Sequence, residues 1–113
     1  GANNPLWCIQ NGELIEIKPN KQPIGKSDNR KPFTTHVINC EAETTFYLVT
    51  DGFQDQFGGQ KEKKFMSKRF EKNLSAICHL PLNEQKETLQ KAFDDWKGSL
   101  EQVDDVTVIG IRV

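Results

Sequence analysis

Asp104-Asp105-Val106-Thr107-Val108-Ile109-Gly110-Ile111-Arg112-Val113 closes the sequence, and its apolar pattern decides how the rest is read. From Val106 onward, apolar residues occupy both parities of an extended chain: Val106 and Val108 on one, Ile109, Ile111 and Val113 on the other. A strand that is apolar on both faces is covered on both faces. Residues 106–113 are therefore expected as a strand in the middle of a layered structure. A second run, Thr45-Phe46-Tyr47-Leu48-Val49-Thr50, is rich in β-branched and aromatic residues and leads straight into Asp51-Gly52. It reads as a strand ending in a turn.

Working outward, Leu6 to Gln10 and Glu13 to Lys18 flank Asn11-Gly12, the dipeptide that supplies the two positive-φ residues of a type I′ hairpin turn. Residues 19–32 are polar, contain Pro19, Pro23, Gly25 and Pro32, and read as a loop. Phe33 to Cys40 is a further strand candidate. The period then changes. Met66, Phe70, Leu74 and Ile77 share one face at helical spacing before Pro81, and a second helix over about 83–97 carries Leu89, Phe93 and Trp96 inward and stops at Gly98. Lys64, Lys68 and Lys72 make a basic stripe on the first helix, which is ordinarily a solvated face and alternatively a docking surface for an acidic partner. The sum is an α+β fold of layered α/β/β/α type, with about five mainly antiparallel strands and two helices on one face.

At 113 residues, with 35% hydrophobic and 27% charged side chains, the chain is one domain or part of one. A formal charge of -1 offers no field to gather nucleic acid or anionic lipid. No apolar run approaches the roughly 20 residues of a membrane span. Cys8, Cys40 and Cys78 are scattered, odd in number and free of any C-x-x-C spacing, so the thiols are expected free and the location cytoplasmic. The opening Gly1-Ala2-Asn3-Asn4-Pro5 has no initiator Met and runs at once into Leu6-Trp7-Cys8-Ile9, which reads as a boundary inside a larger protein.

Two acidic sites stand out. Asp51 follows one strand candidate, and Asp104 and Asp105 precede another. If those strands are antiparallel neighbours, the acids meet at one edge of a sheet. Two carboxylates about 4 Å apart repel by roughly 4 kcal/mol at an effective dielectric of 20. A divalent cation removes that penalty, and oxygen-only ligands suit Mg²⁺ or Mn²⁺. Residue chemistry alone leaves a second reading open, in which Asp51-Gly52 is a plain turn and Asp104-Asp105 a solvated loop. His36, His79 and the adjacent Cys78-His79 pair lack ligand-like or nucleophile-like partners and read as structural or surface groups. Gly58-Gly59 lacks a phosphate-loop context and reads as a turn.

Five stretches in order resemble the SpoIIE/RsbU-like bacterial branch of the type 2C metal-dependent protein phosphatases. They are Gly1-Ala2-Asn3-Asn4-Pro5-Leu6, Lys21-Gln22-Pro23-Ile24-Gly25, Phe46-Tyr47-Leu48-Val49-Thr50-Asp51-Gly52-Phe53, Asp55-Gln56-Phe57-Gly58-Gly59 and Gln102-Val103-Asp104-Asp105-Val106-Thr107-Val108. The resemblance spans nearly the whole chain and implies that residues 1–113 are the C-terminal portion of such a domain. It implies a sandwich of two antiparallel sheets flanked by helices, and a centre of two Mn²⁺ or Mg²⁺ ions whose bridging water attacks phosphoserine or phosphothreonine. Asp51 matches the metal ligand of the Thr-Asp-Gly motif, and Asp104 that of the Asp-Asp-x-Thr motif. Gly52, Asp105 and Thr107 match supporting positions. The family's upstream Asp and its Gly-Asp-x-x-Gly-His-Gly motif, whose Asp bridges both metals, have no counterpart here, so this chain alone is expected to be inactive.

The same resemblance implies a phosphorylated regulatory protein as substrate, commonly an anti-sigma-factor antagonist, and a sensor or receiver domain upstream. A phosphatase-like binding module without catalysis is the alternative. Sheet surface left without its second layer is expected to drive self-association of the isolated chain, most simply as a two-fold dimer.

Overall fold

The computed structural model describes residues 1–40 and 43–113. Its centre is a four-stranded antiparallel sheet in the order β2-β1-β3-β6. The strands are β1 (Leu6–Gln10), β2 (Glu13–Ile17), β3 (Thr45–Val49) and β6 (Val108–Arg112). Between β3 and β6 come the short helix α1 (Gly52–Asp55), a small ladder of β4 (Phe57–Gly58) with β5 (Lys63–Lys64), and the helices α2 (Ser67–Ile77) and α3 (Leu82–Lys97). Asn11 and Gly12 take φ of 51° and 75°, as the hairpin turn requires. With its helix layer the sheet forms a slab whose thinnest dimension is 19 Å.

Register assigns the two sheet faces. Trp7 pairs with Tyr47, and Tyr47 with Gly110; Val49 pairs with Val108. Trp7, Ile9 and Tyr47 on that face are buried against Phe70, Leu74 and Ile77 of α2 and Leu89 and Phe93 of α3. Phe53 sits at the centre of this core, its ring centroid 4.8 Å from that of Phe70, 5.1 Å from Phe93 and 5.2 Å from Phe65. Truncating a buried Phe to Ala typically costs 3–5 kcal/mol, so Phe53 fixes α1 firmly to the helix layer. The buried amide of Gln85 joins α3 to the sheet, accepting from the Tyr47 hydroxyl at 2.6 Å and donating to the Leu80 carbonyl at 2.8 Å.

Four expectations need correction. Residues 33–40 form no strand. Both sides of β3 are taken by β1 and β6, and the segment is held by isolated bonds instead, from Thr34 to Asn20 and from Gln10 to the Asn39 carbonyl. β propensity makes a ladder only where a neighbouring strand is available. The final strand is not covered on both faces: it ends the sheet, and its face opposite the helices is open, as expected of sheet surface without a second layer, with Leu48, Ile109 and Ile111 46%, 48% and 44% exposed. Met66 lies outside α2 as its exposed N-cap, at φ 74°, so the inner face of the helix begins at Phe70. Lys64 belongs to β5, which leaves Lys68 and Lys72 as the exposed lysines on α2.

Candidate functional site

β3 and β6 run antiparallel side by side, so the end of one meets the start of the other. The contact continues past the last ladder pair, Val49 with Val108: the Thr50 N–H donates to the Thr107 carbonyl at 3.0 Å, and the Thr107 N–H donates to Thr50 Oγ1 at 2.9 Å. The Thr50 hydroxyl in turn donates to the Asp105 carbonyl at 3.3 Å, with the Thr107 carbonyl at 3.4 Å as a second acceptor. The residues before Asp51 and after Asp105 are thus stitched together at one edge of the sheet.

Gly52 brings the two segments closer still. A Cβ on Gly52 would lie 2.1 Å from the Asp105 carbonyl oxygen, so only glycine allows this approach of backbone to backbone. Each acidic motif is also anchored on its core side. Phe53 is buried at the centre of the aromatic cluster, and Val106 packs against the same core. The carboxylates themselves face outward. Asp51 and Asp104 are both exposed, Asp51 at the N-cap of α1 with no side-chain cap bond, while Asp104 Oδ1 accepts from the Asp105 N–H at 2.7 Å.

Among the described residues, no three His, Cys, Asp or Glu side chains group closely enough to hold a metal ion. Asp51, Asp104 and Asp105 are hard oxygen donors of the kind Mg²⁺ and Mn²⁺ take. The donor chemistry fits such an ion; the number of donors amounts to part of a coordination shell. His36 and His79 are exposed and belong to no such group, and Gly58 and Gly59 stand at the β4–β5 turn.

Two further residues stand beside this edge. Thr50 closes the 45–50 run and belongs to the Thr-Asp-Gly stretch, and its hydroxyl makes the bonds above. Gln56 is polar, yet its side chain is wholly buried under the segment that leads to Asp104. The one sequence signal for Gln56 was its place in the Asp55-Gln56-Phe57-Gly58-Gly59 stretch.

No helix of the described residues is long and apolar enough to cross a membrane. The family model of stage II sporulation protein E (SpoIIE) matches residues 1–113. The SiaA-PP2C domain of Pseudomonas aeruginosa is similar in structure, with a TM-score of 0.88 and 32% identity over 99% of this chain and 44% of that one. The chain therefore spans less than half the length of that relative. No curated protein matches the sequence. With the family model matching residues 1–113 and the fold matched at this identity, the chain belongs to the SpoIIE family and carries part of the fold of a PP2C-type phosphatase domain.

Proposed function

We propose that Asp51 and Asp104 are ligands in a centre of two divalent cations, Mn²⁺ or Mg²⁺, in a phosphatase that hydrolyses phosphoserine or phosphothreonine. Its substrate is a phosphorylated regulatory protein, an anti-sigma-factor antagonist, and its activity answers to a sensor or receiver domain upstream in a cytoplasmic protein. The observation that carries this reading is the pairing of Thr50 with Thr107, which joins the two acidic motifs at one sheet edge. SpoIIE family membership supports the reaction class.

When bound, such ions lower the pKa of water and shield the phosphoryl oxygens, and no protein nucleophile is required. This chain's own part is to hold two carboxylates in place. Gly52 permits the close approach of the two segments, Thr107 ties the second to the first, and the Asp105 N–H orients the Asp104 carboxylate. Two ligands leave most coordination positions to water or to residues outside this chain. The 113 residues alone are accordingly expected to be inactive and to bind Mn²⁺ weakly.

The test is phosphate release by the full-length protein from a phosphoserine-bearing protein substrate. Asp51→Asn and Asp104→Asn should each abolish release and leave the fold intact, with stability unchanged or raised because a carboxylate repulsion is relieved. Turnover at the wild-type rate in either variant at saturating Mn²⁺ refutes the assignment.

A further inference from the structure

Residues 101–107 carry Asp104 and lie outside the sheet ladder, yet side chains from residues 50–56 grip them at both ends. At the far end is Thr50, whose hydroxyl accepts from the Thr107 N–H and donates to the Asp105 carbonyl. At the near end is Gln56. Its Nε2 donates to the Glu101 carbonyl at 2.8 Å and to the Phe57 carbonyl at 3.0 Å, and its Oε1 accepts from the Val103 N–H at 3.3 Å. Asp104 sits between these two points, one residue beyond Val103 and three before Thr107.

Gln56 is itself immobilised. Its side chain is 0% exposed, and its carbonyl accepts from Trp96 Nε1 at 2.8 Å and from the Phe65 N–H at 2.9 Å. Trp96 is fixed in turn by the Phe65 ring, 5.4 Å away, and by the Arg69 guanidinium 4.4 Å above its own ring. The near grip therefore rests on the helix layer and the far grip on the sheet. Asp51 lies on the segment that supplies both.

We propose that Thr50 and Gln56 are positioning residues that set the Asp104 loop against Asp51, so that the two carboxylates reach a shared cation together. The proposal rests on the metal-ligand reading above. A loop without ladder bonds takes its place from side-chain bonds such as these, and groups that orient ligands commonly change metal affinity by 10–100-fold when removed. Gln is required at position 56 because the site asks for both donors and an acceptor. Glu loses the donors, and Met loses all three contacts.

Two kinds of measurement on the full-length protein decide it. In Mn²⁺ titration calorimetry, Thr50→Val and Gln56→Met should each weaken binding by about tenfold or more, whereas Thr50→Ser, which keeps the hydroxyl, should stay within about twofold of wild type. In amide hydrogen exchange without metal, the Thr107 N–H should lose protection in Thr50→Val and the Val103 N–H in Gln56→Met. Wild-type Mn²⁺ affinity in both folded variants overturns the proposal, as does equal loss in Thr50→Ser and Thr50→Val. Should Gln56→Met not fold, wild-type exchange decides: a protected Val103 amide supports the near grip, and an unprotected one overturns it. Asp51→Asn and Asp104→Asn serve as controls. If they bind Mn²⁺ as wild type does, the ligand assignment fails, and exchange at Val103 and Thr107 still reports on the grips.

Discussion

Replacing Gly52 with alanine puts one methyl group where the two acidic segments touch. The new Cβ would stand 2.1 Å from the Asp105 carbonyl oxygen, 2.9 Å from its carbon and 3.3 Å from Val106 Cγ2. The first distance is more than 1 Å short of ordinary contact. The obstacle is backbone, so no side-chain rotation relieves it. Phe53 holds one segment in the core, and the Thr50–Thr107 bonds hold the other. To make room, the segments must part and lose the bonds of the Thr50 hydroxyl, at about 1 kcal/mol each. Residual overpacking adds about 1–3 kcal/mol. A total near 3–5 kcal/mol is expected. Unfolding entropy near 2.1 cal/mol/K per residue gives about 0.24 kcal/mol/K for 113 residues. The melting temperature should then fall by about 13–21 °C. Gly110→Ala is the matched control, because its Cβ would meet nothing closer than 3.5 Å. Calorimetric melts of the two variants give the comparison. A Gly52→Ala melting temperature within about 2 °C of wild type means that these segments are not in contact, and the common edge is lost with them.

Two other outcomes follow from named groups. Burial, and after it the neighbouring Cys78 thiol, pushes the Tyr47 hydroxyl above the usual phenol range. The unfolded chain gives up that proton first, near pH 10. The stability Tyr47 contributes is thus complete below about pH 10 and is lost as pH rises through the folded value. Tyr47→Phe should flatten this alkaline loss and cost about 1–3 kcal/mol at neutral pH, since Gln85 Oε1 loses its donor; urea melts in which both proteins lose the same stability between about pH 8 and about pH 10.5 refute it. The open face of Leu48, Ile109 and Ile111 should make the isolated chain self-associate, and Leu48→Lys with Ile109→Lys should return it to monomer. Light scattering that shows a wild-type monomer at high concentration contradicts this.

The elements legible in the sequence were those whose signals are local. Asn11-Gly12 fixes its hairpin through its own dihedrals, and the α2 and α3 stripes are periodic within one segment. The acids at strand ends were legible in the same way. Their meeting depended on β3 and β6 being neighbours, a non-local fact that the sequence supports only as a condition. The bonds of Thr50 and Gln56 were hidden for a related reason: a polar residue beside a turn looks solvated until the fold closes over it. Residues 33–40 and 108–112 gave the opposite error. Both carry the composition of paired, covered strands, yet the first has no ladder and the second is an exposed edge.

These two departures lie on the same side of the sheet. Thr34, His36 and Ile38 line a cleft with Leu6, Leu48 and Ile109, all on or against the face turned away from the helices. Apolar patterning records that a surface is buried without recording what buries it. Leu48, Ile109 and Ile111 are patterned for cover that the described residues do not supply, and residues 33–40 for a neighbour that they do not contain. A second layer against this face would answer both demands at once. It would also stand beside the edge where Thr50 meets Thr107, next to the proposed ligands Asp51 and Asp104. The pattern of residues 33–40 and the open face of the sheet thus make one demand, for apolar cover on the side of the sheet turned away from the helices.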